Sequence, residues 1–346
     1  MKAGLNMENK IKIGGRHIYK DGILYLSFSG SFIEFEFEGT YLSVEIKTDK
    51  AEDEQLMGYA GLFINDKFKE KIKLDKPQSA YEIYKSDKPG KVKIRLMRFS
   101  ENNFGKMGIV SLAGNGRITP TPEKDLKIEF IGNSITCGYG VEASNENETF
   151  RTETENPAKA FAVLTAEALD ADFALVSWSG NGLLTQWIPP ERDVPDITVP
   201  LMPDMYRMAD YGGYAFEGYD APGDYDFSAF TPDIVVINLG TNDASYTRKI
   251  PERVGAFGKA YGEFLSFVRE KRPDAKIICC LGVMNTDLCD EVNRQVEIKR
   301  ETDPDIYFIR QDIMRKDEPY GADWHPGEKA QKRIAAQLID FIKTII

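Results

Sequence analysis

The chain has 346 residues, about twice a common domain length, so two domains are the first expectation and one large domain the second. Its 42% hydrophobic and 29% charged residues are ordinary for a globular protein, and no run of about 18 apolar residues is present to span a bilayer. Forty-four Lys and Arg against 55 Asp and Glu give a net charge of -11, which repels phosphate backbones and anionic membranes; neither is expected as a partner, and a neutral one fits better.

The N-terminal stretch "MKAGLNMENKIKIGG" lacks the apolar core and small-residue cleavage site of a secretory signal, which reads as cytoplasmic, although a trimmed secreted chain would read the same way. From about residue 10 to 120 the pattern is one of short alternating segments divided by Gly, Asn, Asp or Lys. In "ILYLSFSGSFIEFEFEGTYLSVEIKTD" the pleat puts Phe32, Glu34 and Glu36 on one side and Ile33, Phe35 and Phe37 on the other. A hairpin signal follows at Asn65-Asp66, and "GKVKIRLMRFS" and "GKMGIVSLAG" supply two more strands. No helical period appears, so residues 1–122 are expected to form a β-sandwich.

After the Pro-containing turn in "RITPTPEKD" the period changes, and residues 123–346 form the second expected domain. Strand "LKIEFIG" leads to a helix with Asn156 as N-cap and Pro157 in its first position, running through "PAKAFAVLTAEALD". Next come strands "FALVSWSG" and "PDIVVINLG", helix "RVGAFGKAYGEFLSFVREKR", strand "AKIICCLGV", a helix around "DEVNRQVEIKRE", strand "IYFIR" and the closing helix "GEKAQKRIAAQLIDFIKTI". The alternation predicts an α/β domain with a parallel sheet between helices, its functional residues at the C-terminal ends of the strands. The four cysteines show no paired spacing and read as buried, reduced thiols.

Four residues lie where such a domain would use them. Ser134 in "IEFIGNSITCGYG" follows the first strand; a serine needs a base to act as nucleophile, yet serines after strands are usually turn residues. The chain has two histidines, and only His325, in "GADWHPGEKAQ", belongs to the α/β half. Gly180 in "LVSWSGNG" offers a backbone N–H to an oxyanion, or simply a turn with positive φ. Asn242 in "INLGTND" offers its amide, or an Asx turn.

In this order, "GNSIT", "SGNG", "GTND" and "DWHP" resemble the four blocks of the SGNH (GDSL-like) hydrolases over about residues 126 to 346. With "DFSAFTPDIVVINLGTND" and a β-sandwich in front, the chain looks like carbohydrate esterase family 2, whose members remove O-acetyl groups from polysaccharides such as xylan and mannan. The resemblance implies a three-layer α/β/α catalytic domain behind a jelly-roll like those of carbohydrate-binding modules. It makes Ser134 the nucleophile, His325 its base, and the N–H groups of Ser134 and Gly180 with the Asn242 amide the oxyanion hole. The implied substrate is an acetylated oligo- or polysaccharide, and no metal or cofactor is implied.

Two positions depart from the pattern. Asn133 stands where most relatives have Asp, keeping an Asx turn but removing a charge beside the nucleophile. The acid that orients the histidine is often three residues before it, here Ala322; the nearest carboxylate, Asp323, is two before. That spacing does not guarantee a bond to Nδ1, and some family members use a backbone carbonyl, so Asp323 is a candidate third member with a loop or cap role as the alternative. Between "SGNG" and "DFSAF" runs a long stretch rich in Pro, aromatics and acid, of a length usually tied to function. Trp187 and the tyrosines of this stretch, Trp324 and Tyr139 are the candidate sugar platforms. A lipase or thioesterase would want an apolar acyl pocket instead, and a retired, purely carbohydrate-binding scaffold would not need all four block residues.

Overall fold

The computed structural model describes residues 10–210 and 223–346, and the chain divides into two compact units. The first holds the described residues up to Lys124, together with Arg151–Glu153 and those of 209–224; the second holds Asp125–Phe150, Thr154–Met208 and Tyr225–Ile346. The sequence puts the boundary at residue 122; the later returns to the first unit have local reasons. The Thr152 hydroxyl donates to the carbonyl of Met57 at 2.7 Å, and buried Asp210 accepts from Lys106 Nζ at 2.7 Å.

Unit one contains β1 (Lys12–Gly14), β2 (His17–Lys20), β3 (Ile23–Leu26), β4 (Phe32–Lys47), β5 (Tyr59–Ile64), β6 (Lys67–Lys73), β7 (Gln78–Arg98), β8 (Met107–Gly114) and β9 (Arg117–Pro120). They form one antiparallel sheet in the order β2-β3-β8-β4-β7-β5-β6, with β1 and β9 also on β4. β4 pairs with β1 and β9 along its first half and with β8 along its second, with register shifts between Gly39 and Tyr41 and between Leu42 and Ser43. Such shifts increase local twist, and the sheet curls on itself around Ile33, Phe35, Phe37, Val44, Leu96 and Ile109. The expected hairpin is present: Asn65 and Asp66 both take positive φ between β5 and β6. The other side of β4 is less polar than its sequence suggests, because Glu34 is buried against Arg95 Nε at 2.7 Å and the Thr121 hydroxyl at 2.8 Å.

Unit two carries β10 (Leu126–Gly132), β11 (Ala171–Ser177), β12 (Ile234–Ile237), β13 (Lys276–Leu281) and β14 (Ile306–Arg310), all parallel, in the order β11-β10-β12-β13-β14. Every residue of β11 and β12 is buried, as continuous apolar strands inside an α/β domain should be. The helices are α1 (Ser134–Cys137), α2 (Phe161–Ala168), α3 (Met202–Met205), α4 (Ala244–Thr247), α5 (Pro251–Lys271), α6 (Cys289–Arg300) and α7 (Glu328–Ile342). α2 packs on α7 and β11, while α5 packs on α6, which covers β13 and β14. The fold is the α/β arrangement expected, with one local correction. The helix predicted from Pro157 breaks at Ala160, which is extended, and α2 starts only at Phe161, whose N–H is held by Gln331 Oε1 of α7 at 2.9 Å. All four cysteines are buried as thiols, outside any disulfide.

Candidate active site

β10 lies between β11 and β12, so the turns after these three neighbouring strands open at one edge of the sheet. They carry Ser134, Gly180 and Asn242 respectively. Ser134 is the first residue of α1. Asn133 caps that helix, its Oδ1 accepting from the N–H of Ile135 at 3.1 Å, so the Asx geometry survives the exchange of Asp for Asn. Its Nδ2 is buried without a partner among the described residues. Gly180 sits at φ +75, a conformation that favours glycine. Asn242 is buried, and its Nδ2 gives one hydrogen to the carbonyl of Asn181 at 2.7 Å, leaving the other.

His325 comes from the loop ahead of α7, and its Nε2 lies 2.8 Å from Ser134 Oγ. Its Nδ1 lies 3.1 Å from the carbonyls of both Ala322 and Asp323. Carbonyls only accept, so Nδ1 carries the proton, and Nε2 is left as the acceptor for the serine hydroxyl. Burial pushes the imidazole pKa below its ordinary value, against the pull of the two carbonyls and the Asp323 charge, which favours the neutral base.

The Asp323 carboxylate is not on Nδ1. Asp323 has φ 50 and ψ 42 and Trp324 has φ 62; this left-handed pair brings two carbonyls to the ring and turns the side chain away, where it accepts from the Tyr139 hydroxyl at 2.8 Å. Tyr139, a candidate sugar platform in the sequence, has its ring stacked on Phe150 at 3.7 Å and laid against His325 at 4.4 Å. Trp187 and Trp324 are 56% and 57% exposed. Trp187 is tied by its backbone N–H to the carbonyl of Gly180 at 2.7 Å, and Trp324 meets Tyr320 edge-on at 5.3 Å. Of the tyrosines between the second and third blocks, Tyr206 is buried with its hydroxyl on Glu129 at 2.7 Å, and Tyr225 is half-buried with its ring against Phe227 at 5.2 Å; Tyr211, Tyr214 and Tyr219 lie outside the described residues.

Sequence reasoning passed over Asp243, the residue after Asn242. It is fully buried and accepts from the N–H groups of Leu183 at 2.9 Å and Leu184 at 2.7 Å. Its only signal was its place in "GTND".

Two family models match the chain: the carbohydrate esterase 2 N-terminal domain over residues 13–122 and the GDSL-like lipase/acylhydrolase family over residues 130–333. The chain belongs to the GDSL-like lipase/acylhydrolase family. Its two matched domains give it the organisation of carbohydrate esterase family 2. This GDSL-like protein is 30% identical over 326 residues to a cellulase/esterase of Acetivibrio thermocellus, covering 92% of the present chain and 37% of that protein. The chain thus spans little more than a third of that relative. It is 27% identical to an acetylxylan esterase/glucomannan deacetylase of Cellvibrio japonicus, covering 80% of this chain and 73% of the other. Among solved structures, a family two carbohydrate esterase from Clostridium thermocellum, in complex with cellohexaose, superposes with a TM-score of 0.83 at 29% identity, covering 96% of this chain and 98% of that one.

Proposed function

We propose that this GDSL-like protein is a carbohydrate O-acetyl esterase acting on acetylated xylan- or mannan-type saccharides through an acetyl-serine. The observation that carries the reading is the 2.8 Å approach of His325 Nε2 to Ser134 Oγ, with the tautomer set by carbonyls at Nδ1. Ser134 Oγ attacks the acetyl carbonyl as its proton passes to Nε2. The N–H groups of Ser134 and Gly180 and the second Asn242 hydrogen receive the oxyanion, each such donor being worth roughly 2.7–4 kcal/mol in the transition state. Collapse expels the sugar oxygen, which takes the proton from the imidazolium, and water then repeats the sequence on the acetyl-serine.

Exposed Trp187 and Trp324 support a sugar substrate, since a flat indole face stacks on a pyranose ring. The names of the relatives, an acetylxylan esterase/glucomannan deacetylase among them, support the acetyl group as the one removed. Mass spectrometry of defined acetylated xylo- and manno-oligosaccharides should show losses of acetyl in the wild type and none with Ser134→Ala. Short-chain p-nitrophenyl esters should be cleaved much faster than long-chain ones. Undiminished deacetylation by Ser134→Ala, or a preference for long acyl chains, would refute the assignment.

A further inference from the structure

The turn that carries Asn242 is stitched to the segment after Gly180 by three side chains. Asn242 Nδ2 holds the carbonyl of Asn181, the Asp243 carboxylate holds the N–H groups of Leu183 and Leu184, and Ser245 Oγ accepts from the N–H of Ile188 at 2.9 Å. Gly182 completes the fit: a Cβ there would stand 2.5 Å from Asp243 Oδ2 and 2.6 Å from the carbonyl of Thr185. The second glycine of "SGNG" is therefore the space into which the aspartate of "GTND" fits. Of the three, Asp243 is the costly member, because a buried carboxylate facing backbone N–H groups has given up water for neutral donors.

We infer that Asp243 is a positioning residue for the oxyanion site: its carboxylate locks the Asn242 turn to the segment beginning at Gly180, so that both donors hold their places before substrate arrives. An amide of the same shape does this poorly. Leu183 N–H also lies 3.2 Å from Oδ2, and an NH2 group there would set donor against donor. Burial raises the acid's pKa to about 6 even though backbone N–H groups pull it down, in keeping with a group whose anionic form is costly to retain. The inference rests on the esterase reading of the site, since it concerns the donors that reading assigns to the oxyanion.

Misplacing a donor by about an ångström weakens the transition state and spares the ground state. Asp243→Asn should therefore lower kcat on an acetylated xylo-oligosaccharide about 100-fold, with KM within about threefold of wild type. Gly182→Ala, which crowds the same contact from the other side, should give the same split and carries the test if Asp243→Asn does not fold. Calorimetric affinity for phenylboronic acid, whose Ser134 adduct mimics the oxyanion and needs no turnover, should fall in parallel in both variants. Folded variants with wild-type kcat and boronate affinity would overturn the inference. A rise in KM at constant kcat would do so too, since it would place the effect in substrate binding and not in the oxyanion donors. Wild-type protein that releases no acetate yet binds the boronate more tightly than Asp243→Asn would count against the esterase reading and leave the positioning role standing.

Discussion

His325 is oriented without a carboxylate on its ring, and this decides what Asp323 can do. The left-handed conformations of Asp323 and Trp324 cost roughly 1–2 kcal/mol each, and the hydrogen bond from Tyr139 to the charged Asp323 returns a similar amount. The carboxylate thus acts on the imidazole at second hand, by latching the turn whose carbonyls hold Nδ1 and by keeping the Tyr139 ring against it. Asp323→Asn keeps an acceptor for the Tyr139 hydroxyl, so its kcat at neutral pH should stay within about threefold of wild type. Asp323→Ala and Tyr139→Phe lose the latch and should each fall about tenfold, the equivalent of one such bond. The double variant should fall no further than either single one. The pH profile separates latch from charge. His325 must be neutral to act, so kcat/KM falls as pH drops through its depressed pKa, below 6.5. The Asp323 charge pulls that pKa up, so Asp323→Asn should move the acid limb lower still. An Asp323→Asn plateau as low as that of Asp323→Ala would show that the charge itself is required.

Among the elements, β10 carries a burden besides placing Ser134. Glu129 in its middle is buried in a bidentate pair with Arg272 just past α5, at 2.9 and 3.0 Å, and also accepts from Tyr206 just past α3. Removing one partner strands the other charge, so Arg272→Met should destabilise the protein by about 3–5 kcal/mol. Glu129→Met with Arg272→Met should recover most of that loss, as measured by the denaturant midpoint; a double variant no more stable than the single would contradict this account. The strand itself was legible in "LKIEFIG", but the glutamate's partner stands 143 residues away and no local pattern points to it. The same contrast runs through the chain. Apolar runs and turn residues gave the five parallel strands and the Asn65-Asp66 hairpin, because those signals are local. β7 begins at Gln78, well before "GKVKIRLMRFS", because its half-exposed first part alternates polar residues and passes through Pro89 and Gly90. Ser134 and His325 could be paired from sequence because the α/β half has a single histidine. What holds the ring could not, since a backbone carbonyl has no letter of its own and its aim depended on the φ of Asp323 and Trp324.

At the scale of the whole chain, the net charge of -11 gives a field that separates neutral from anionic saccharides. A neutral oligosaccharide has no charge for this field to steer, whereas a saccharide bearing uronic acid is repelled wherever the field is unscreened. Screening shortens from a Debye length of about 30 Å at 0.01 M salt to about 10 Å at 0.1 M, so that is the range in which the two should part. With a neutral acetylated xylo-oligosaccharide, kcat/KM should change by less than about twofold between these salt concentrations. With a uronate-bearing analogue it should rise severalfold as salt is added, through KM rather than kcat, because repulsion opposes encounter and leaves the Ser134–His325 step untouched. A uronate-bearing substrate that binds better at low salt would mean that a local cationic surface near the site outweighs the field of the whole chain, and the preference for neutral saccharides would then have to be abandoned.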